Sequence, residues 1–277
     1  DAKVLNAISK SDAIMLVVRA FASEDVPHPQ DNINAARDLQ DLRFELQFSD
    51  LAVASRRIER IEDGMRKARS DEKPALEAEL DLLRRIVAAL EDGQPIRDLE
   101  LAPEEERLLR GFQFLSAKPE MVVVNLGEDD QLQPDLSWAN HHRRSKAMPL
   151  KGAIEMEIAQ LPAEEAAAFL AEFGLTEPGL HALVRACYGL LGQMSFFTVG
   201  EDEVRAWTVQ RGATAVEAAA AIHTDLARGF IRAEVLSYDA MITCGSIAEA
   251  RRQGKLRLEG RDYVVQDGDI LNIRFNV

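Results

Sequence analysis

The run Glu120-Met-Val-Val-Val-Asn-Leu-Gly-Glu128 decides how the chain folds. A short, continuous apolar run reads as a strand buried on both faces, the kind found in a parallel α/β sheet. Asp12-Ala-Ile-Met-Leu-Val-Val-Arg-Ala-Phe21 reads the same way. Between the two lies a long insertion with helical rather than strand character. Leu51, Ala54, Ile58, Ile61 and Met65 keep alternating spacings of three and four, as do Leu76, Leu80, Leu83, Val87 and Leu90. Both are heptad seams. Ser70, Asp71 and Pro74 interrupt them, the first two as candidate N-caps and Pro74 as a first-turn residue. The pattern predicts an antiparallel helical hairpin with arms of about 17–20 residues, roughly 25–30 Å long. Two amphipathic helices on one globular core fit the same seams. Gly93 and Pro95 close the second arm, and Pro103 opens a further helix with Glu104–Glu106 near its positive end.

The end of the strand carries the chemistry. Ligands in open α/β sheets sit at the carboxyl ends of strands, where Asn125 stands with an acid, Glu128, three residues on. Nucleotide-binding G domains hold an Asn-x-x-acid loop at this place. A carboxylate there accepts from two donors on guanine's Watson–Crick edge, whereas adenine offers a donor and an acceptor. Glu in place of Asp loosens that selectivity. A strand ending in Asn before an ordinary polar loop gives the same letters. Ser116-Ala-Lys118 precedes the strand and reads as a linker ending at Pro119. Met148-Pro-Leu-Lys-Gly-Ala-Ile154 is better placed for a second base loop, at the start of a helix pattern. No G-x-x-x-x-G-K-[ST] occurs anywhere in the sequence, so phosphoryl transfer by this chain alone is not expected.

Composition narrows the partners. With 33 Lys+Arg against 47 Asp+Glu, the net charge of −14 argues against indiscriminate DNA coating, while a local basic patch can still dock on RNA. Arg56, Arg57, Arg60, Arg66, Lys67 and Arg69 make such a patch at the distal end of the first arm; it reads as a solvated face or as an RNA-docking tip. His141-His142-Arg143-Arg144 reads as a solvated face, and His223 and Asp225 as helix-end hydrogen bonding. Cys187 and Cys244 suit a reducing cytosol as small buried residues. No apolar stretch approaches a membrane span.

Beyond the insertion, Leu161–Gly192 reads as two short helices broken at Gly174 and Pro178. A small α+β module follows, with strands Val204–Val209, Phe230–Leu236, Leu256–Leu258, Tyr263–Gln266 and Ile270–Phe275. Capping boxes at Thr214–Glu217 and Ser246–Glu249 start its helices, and Gly254 stops the second.

These residues resemble the YchF/Obg-like ATPases of the translation-factor GTPase class. The resemblance rests most strongly on Phe196-Phe-Thr-Val-Gly200, Glu203-Val-Arg-Ala-Trp-Thr-Val209, Gly229-Phe-Ile-Arg-Ala-Glu-Val235, Gly254-Lys-Leu-Arg-Leu-Glu-Gly260 and Tyr263-Val-Val-Gln-Asp-Gly-Asp269, which are similar to the family's TGS domain. It implies an α/β and α+β multidomain protein. A partial P-loop G-domain sheet with flanking helices takes 1–40 and 119–192, an inserted antiparallel helical hairpin 41–118, and a TGS-like β-grasp domain 193–277. It also implies a base site for ATP, and less selectively GTP, at Asn125, Leu126 and Glu128. Phe21 lies beside the nucleotide, and Lys151, Gly152 and Ala153 form the second base loop. That loop normally begins with Ser or Cys, so Lys151 is a departure. Mg2+ belongs to the complete family protein. A cytoplasmic ribosome or ribosomal-RNA partner, met by Arg66, Lys67 and Arg69, is implied, with no membrane and no specific DNA. The family's P-loop and switches precede the segment matching Asp1. The chain is therefore expected to be a piece of a longer ATPase, as a first residue other than Met favours, or a remnant without hydrolysis. In the remnant, ribosome or RNA binding would be nucleotide-independent. In either case the strands of this chain, without their upstream partners, are expected to leave an open sheet edge with exposed apolar faces.

Overall fold

In the computed structural model, β1 (Ile14–Arg19), β2 (Glu120–Asn125) and β3 (Ser145–Leu150) form a parallel sheet in the order β1-β2-β3. The structure describes residues 2–276 apart from 24, 25, 31, 132 and 201, so the outermost expected domain bounds, 1 and 277, lie outside it. The chain divides into two units, Asp1–Leu190 and Leu191–Val277, each a mixture of helices and strands.

In the first unit β2 is central, and Met121–Val124 are buried on both faces, as its unbroken apolar run requires. β1 is an edge: Ile14, Leu16 and Val18 are buried, whereas Met15 and Val17 are 46% and 58% exposed. The expected open edge and apolar face are present among the described residues. β3 was not expected. Its sequence, SKAMPL, has no apolar run, and Pro149 is tolerated because β3 is the other edge. Met148–Leu150 therefore end a strand rather than begin a helix.

Helices α1 (Ala2–Ile8), α2 (Ala35–Met65), α3 (Lys73–Glu91), α4 (Pro103–Leu109), α5 (Gly152–Ile158), α6 (Ala163–Glu172) and α7 (Gly179–Leu191) complete this unit, with a 3-10 turn at Ile96–Asp98. α2 and α3 share a core of Ala54, Ile61, Leu80, Leu83, Ile86 and Leu90, closed by Ile96, Leu109 and Phe114. α3 has 19 residues, but α2 has 31, far longer than the seam predicts. The same stripe continues upstream through Leu39, Arg43, Leu46, Gln47 and Asp50, all buried. Three of these five are polar, so hydrophobic periodicity does not register them. The expected boundary between residues 40 and 41 falls inside this continuous helix. Ser70 and Asp71 do not cap α3; the cap is Glu72, without a side-chain bond, and Pro74 sits in the first turn.

The buried polar residues of α2 have specific partners. Glu120, fully buried at the start of β2, accepts from Arg43 Nη2 at 2.6 Å and Nε at 3.1 Å and from Ser145 Oγ at 3.0 Å. Arg97 Nη1 lies 3.4 Å from its other oxygen. Arg43 also donates to Ala139 O at 2.8 Å, and Arg97 Nε to Lys118 O at 2.9 Å. Two α2 turns on from Arg43, Asp50 accepts from the backbone N–H groups of Leu115 and Ser116 at 2.8 and 2.7 Å. Ser116-Ala-Lys118 is thus a built part of the core, not a linker.

The second unit is a five-stranded mixed sheet ordered β5-β4-β8-β6-β7, from β4 (Gln193–Val199), β5 (Val204–Gln210), β6 (Phe230–Leu236), β7 (Arg257–Glu259) and β8 (Ile270–Phe275). β4 and β8 pair in parallel; the other pairs are antiparallel. α8 (Ala215–Ile222) packs Ala215, Ala218 and Ala219 against Phe196, Val235 and Leu271. Thr214 and Glu217 form the expected capping box. α9 (Thr224–Arg228), α10 (Tyr238–Cys244) and α11 (Ile247–Arg252) follow the chain around the sheet. His223 caps α9 through Nδ1, as expected. At α11 only half the expected box forms, because Glu249 turns to Arg252 and Gln253. Tyr263–Gln266 makes a single bridge, Thr214 to Val264, rather than a strand. Gly229 must be glycine, since a Cβ would stand 2.2 Å from Asn276 O.

Burial alone would raise the Glu120 pKa, but the Arg43 hydrogen bonds and the Arg97 charge outweigh it and hold the carboxyl below its ordinary value. A depressed acid stabilises the fold above its unfolded pKa and loses that contribution as pH falls through the folded value. Glu120→Gln should therefore cost about 3 kcal/mol at neutral pH, leaving two buried guanidiniums without their carboxylate. It should also flatten the loss of stability below the ordinary Glu pKa of 4.5. Urea unfolding from pH 7 downward checks both; an unchanged acid limb would remove Glu120 from the account.

Candidate nucleotide-base site

The carboxyl ends of the three parallel strands bring together Phe21, Asn125 and Lys151–Gly152. Asn125 Oδ1 accepts from Gly152 N at 2.9 Å, linking the end of β2 to the first turn of α5. A Cβ at Gly152 would lie 2.9 Å from Oδ1 and 3.2 Å from Nδ2, so the approach needs glycine. The backbone is stitched across the edge as well: Ala20 N donates to Asn125 O and Leu126 N to Leu150 O, each at 2.8 Å. Leu126 is buried in the sheet core, so its place here is packing under the loop. With Oδ1 occupied, Asn125 Nδ2 is left with no partner among the described residues, and its side chain is half-buried.

The loop after Asn125 is shaped by its acids. Asp130 Oδ2 accepts from Gly127 N at 2.6 Å. A Cβ on Gly127 would meet that oxygen at 3.1 Å and Phe21 Cβ at 3.3 Å, which places Phe21 directly against the loop. Glu128 is exposed, and its carboxylate makes no hydrogen bond or ion pair among the described residues. Lys151, only 9% exposed, donates from Nζ to Glu128 O at 2.6 Å. Its charge therefore holds the loop closed and does not stand free for a phosphate or a ring face. Ala153 follows Gly152 in the first turn of α5.

Arg19, which the sequence did not single out, fixes Phe21 from below. Its guanidinium lies 4.7 Å from the Phe21 ring centroid and donates to the carbonyls of Phe21, Ser23 and Val26. An Arg at the end of an apolar run looks like ordinary strand termination, so only the two-residue spacing to Phe21 hinted at this.

The chain as a whole has relatives among known proteins. The chain is 41% identical over 279 residues to the "Ribosome-binding ATPase YchF" of Pasteurella multocida, spanning 99% of this chain and 76% of that protein. It is 37% identical over 282 residues to the Bacillus subtilis protein of the same name, again 99% and 76%. The chain belongs to the YchF family. The family model YchF-GTPase_C, described as "Protein of unknown function (DUF933)", matches residues 193–276. "Obg-like ATPase 1" of Oryza sativa subsp. japonica is 35% identical over 280 residues, 99% of this chain and 70% of that one. The solved "Structure of the Schizosaccharomyces pombe YchF GTPase" superposes with a TM-score of 0.82 at 28% identity, over 98% of this chain and 74% of that one.

The other candidate residues of this YchF chain fall elsewhere. In the second half of α2, Arg57 is engaged bidentately by Glu79 at 2.8 Å and Arg56 bonds Ala52 O; at the α2–α3 turn, Arg69 pairs loosely with Asp71 at 3.5 Å. Arg66 and Lys67 are exposed, with no partner among the described residues. His142 is not on a solvated face: Nδ1 bonds Asp98 at 2.7 Å, and burial, against that bond, holds its pKa below the ordinary value. Burial pushes the Cys187 thiol up, as suits an inert packing residue. No helix among the described residues is long and apolar enough to cross a membrane.

A charge-assisted bond of the Lys151 kind contributes about 1.5–3 kcal/mol. Lys151→Met should therefore speed hydrogen exchange of the 126–130 amides by about tenfold or more, with the strands unaffected. Unchanged exchange would show that Lys151 does not hold this loop.

Proposed function

We propose that this chain forms the base-recognition end of a YchF-type nucleotide site and that it works on the ribosome in the cytoplasm. The single observation that carries the reading is the Asn125–Gly152 closure. It joins two loops at the carboxyl edge of a parallel sheet, and the Asn125 side-chain amide and the Glu128 carboxylate have no partner among the described residues. An amide and a carboxylate offer a base both a donor and an acceptor, and Phe21 offers an apolar surface; the residues present suit a purine. Leu126, Gly152 and Ala153 shape the site, and Lys151 closes its loop. Glu128, longer than Asp, favours ATP while admitting GTP.

In this reading the parallel sheet with its flanking helices is the G-domain part, the α2–α3 pair the helical hairpin, with α2 running through both, and 193–277 a TGS-like β-grasp domain. The parallel β4–β8 pair inside a mixed sheet supports that last assignment. The bound nucleotide supplies the phosphates to be hydrolysed, with Mg2+, in a chain that also carries the phosphate loop. This chain's own residues bind and orient the base. The names of the bacterial relatives support a ribosomal partner. Arg66, Lys67 and Arg69 are the residues proposed to meet it.

Calorimetric titration tests the base site. Asn125→Ala should weaken ATP binding by about tenfold, and Glu128→Asp should shift preference toward GTP by a similar factor. ATP affinity indifferent to both would overturn the assignment. A second reading, ribosome or RNA binding without nucleotide, is favoured by the burial of Lys151, whose charge is engaged by Glu128 O. Under either, changing Arg66, Lys67 and Arg69 to Glu should reduce ribosome co-sedimentation and its salt dependence. Unchanged co-sedimentation would remove the tip from the interface.

A further inference from the structure

The amino end of the parallel sheet, opposite Asn125, carries two clefts that the base site does not use. One, of about 840 Å³, is lined by Arg110, Arg143 and Arg144 among others. The other, of about 410 Å³, is lined by Phe44, Trp138 and His141. They meet along the segment 141–144, whose first two residues line the aromatic cleft and whose last two line the basic one.

Both clefts have unusual features for a surface. Phe44 is 65% exposed and Phe48 61%, and their rings stack at 6.5 Å on the outer face of α2. An exposed aromatic pair beside a half-buried Trp and an exposed His is unusual unless something flat lies against it. Arg110, Arg143 and Arg144 are exposed, and their guanidiniums have no partner among the described residues, in a chain of net charge −14. The non-glycine residues with left-handed backbone, Gln113 at φ 54° and Arg144 at φ 51°, both line the basic cleft. Arg144 is held in that conformation by its carbonyl, which accepts from Glu120 N at 2.9 Å. Backbone strain of this kind persists where the surroundings enforce it, and it gathers at functional sites.

From this juxtaposition we infer that the ridge at 141–144 binds single-stranded RNA. Bases stack on Phe44, Trp138 and His141, while the phosphates lie along Arg110, Arg143 and Arg144. Aromatic platforms beside a cationic groove are how single strands are held without sequence readout. A duplex hides its base faces and would meet only the arginines. The site stands at the other end of the sheet from Asn125, and it does not depend on the base-site reading.

Trp138 supplies the measurement, since the chain has two tryptophans and Trp207 lies in the second unit. In a Trp207→Phe chain without nucleotide, a ten-residue oligoadenylate should quench the remaining emission saturably. Phe44→Ala should weaken binding at least about fivefold. Arg143→Gln with Arg144→Asn, the latter suited to left-handed backbone, should lower the salt slope by about 1.4, or 0.7 for each lost phosphate contact. Thermal unfolding of each variant should match the parent. Absence of quenching, equal affinity for duplex RNA of the same length, or full competition by inorganic tripolyphosphate would each overturn the inference. The last would mean a phosphate site with no base platform.

Discussion

Everything in the first unit hangs on where Glu120 sits. A fully buried carboxylate at the first residue of the central strand must be paired, and its partners come from two distant stretches: Arg43 in α2 and Arg97 in the 3-10 turn beyond α3. The pairs fix β2 against the long helix and against the base of the helical pair in one place. Asp50, one helical face along, repeats the device with backbone N–H groups. Burial is the leading influence on its pKa and drives it upward. These contacts set the direction of α2 and the register from which β2 runs to Asn125, about 17 Å away at roughly 3.3 Å per residue. The base end is therefore positioned from the opposite end of the sheet.

That arrangement explains what the sequence could and could not yield. β2, β6 and β8 were legible to the residue because each is an apolar run with turn residues on either side. The seam from Leu51 onward was legible because its core positions are apolar. The upstream half of α2 was not, because Arg43, Gln47 and Asp50 occupy the same stripe and look like a surface until their partners are known. β3 escaped because an edge strand can carry Pro149 and half-buried residues without losing its ladder. His142 looked solvated beside two arginines, and only the fold brings Asp98 to it.

At the candidate site the letters Asn125, Glu128 and Gly152 were readable, while their division of labour was not. Asn125 spends its oxygen on Gly152, which makes it as much a joint between loops as a ligand group. Lys151 is a long cation turned inward onto a main-chain carbonyl. A buried ammonium with a carbonyl partner rigidifies what it holds, so Lys151 acts on the loop as a strut. Arg19 does similar work for Phe21, and its role could be seen only from the three carbonyls it gathers.

The account's central claim is that a purine meets the Asn125–Gly152 joint. The most direct measurement is a nitrogen–proton correlation spectrum of the labelled chain during titration with ATP. The account predicts concerted shifts of the Gly152 amide, the Asn125 side-chain amide and the Gly127 amide. The amino-end resonances around Arg143 and Arg144 should stay in place. Shifts confined to that amino end, or none at Gly152 at saturating nucleotide, would contradict it.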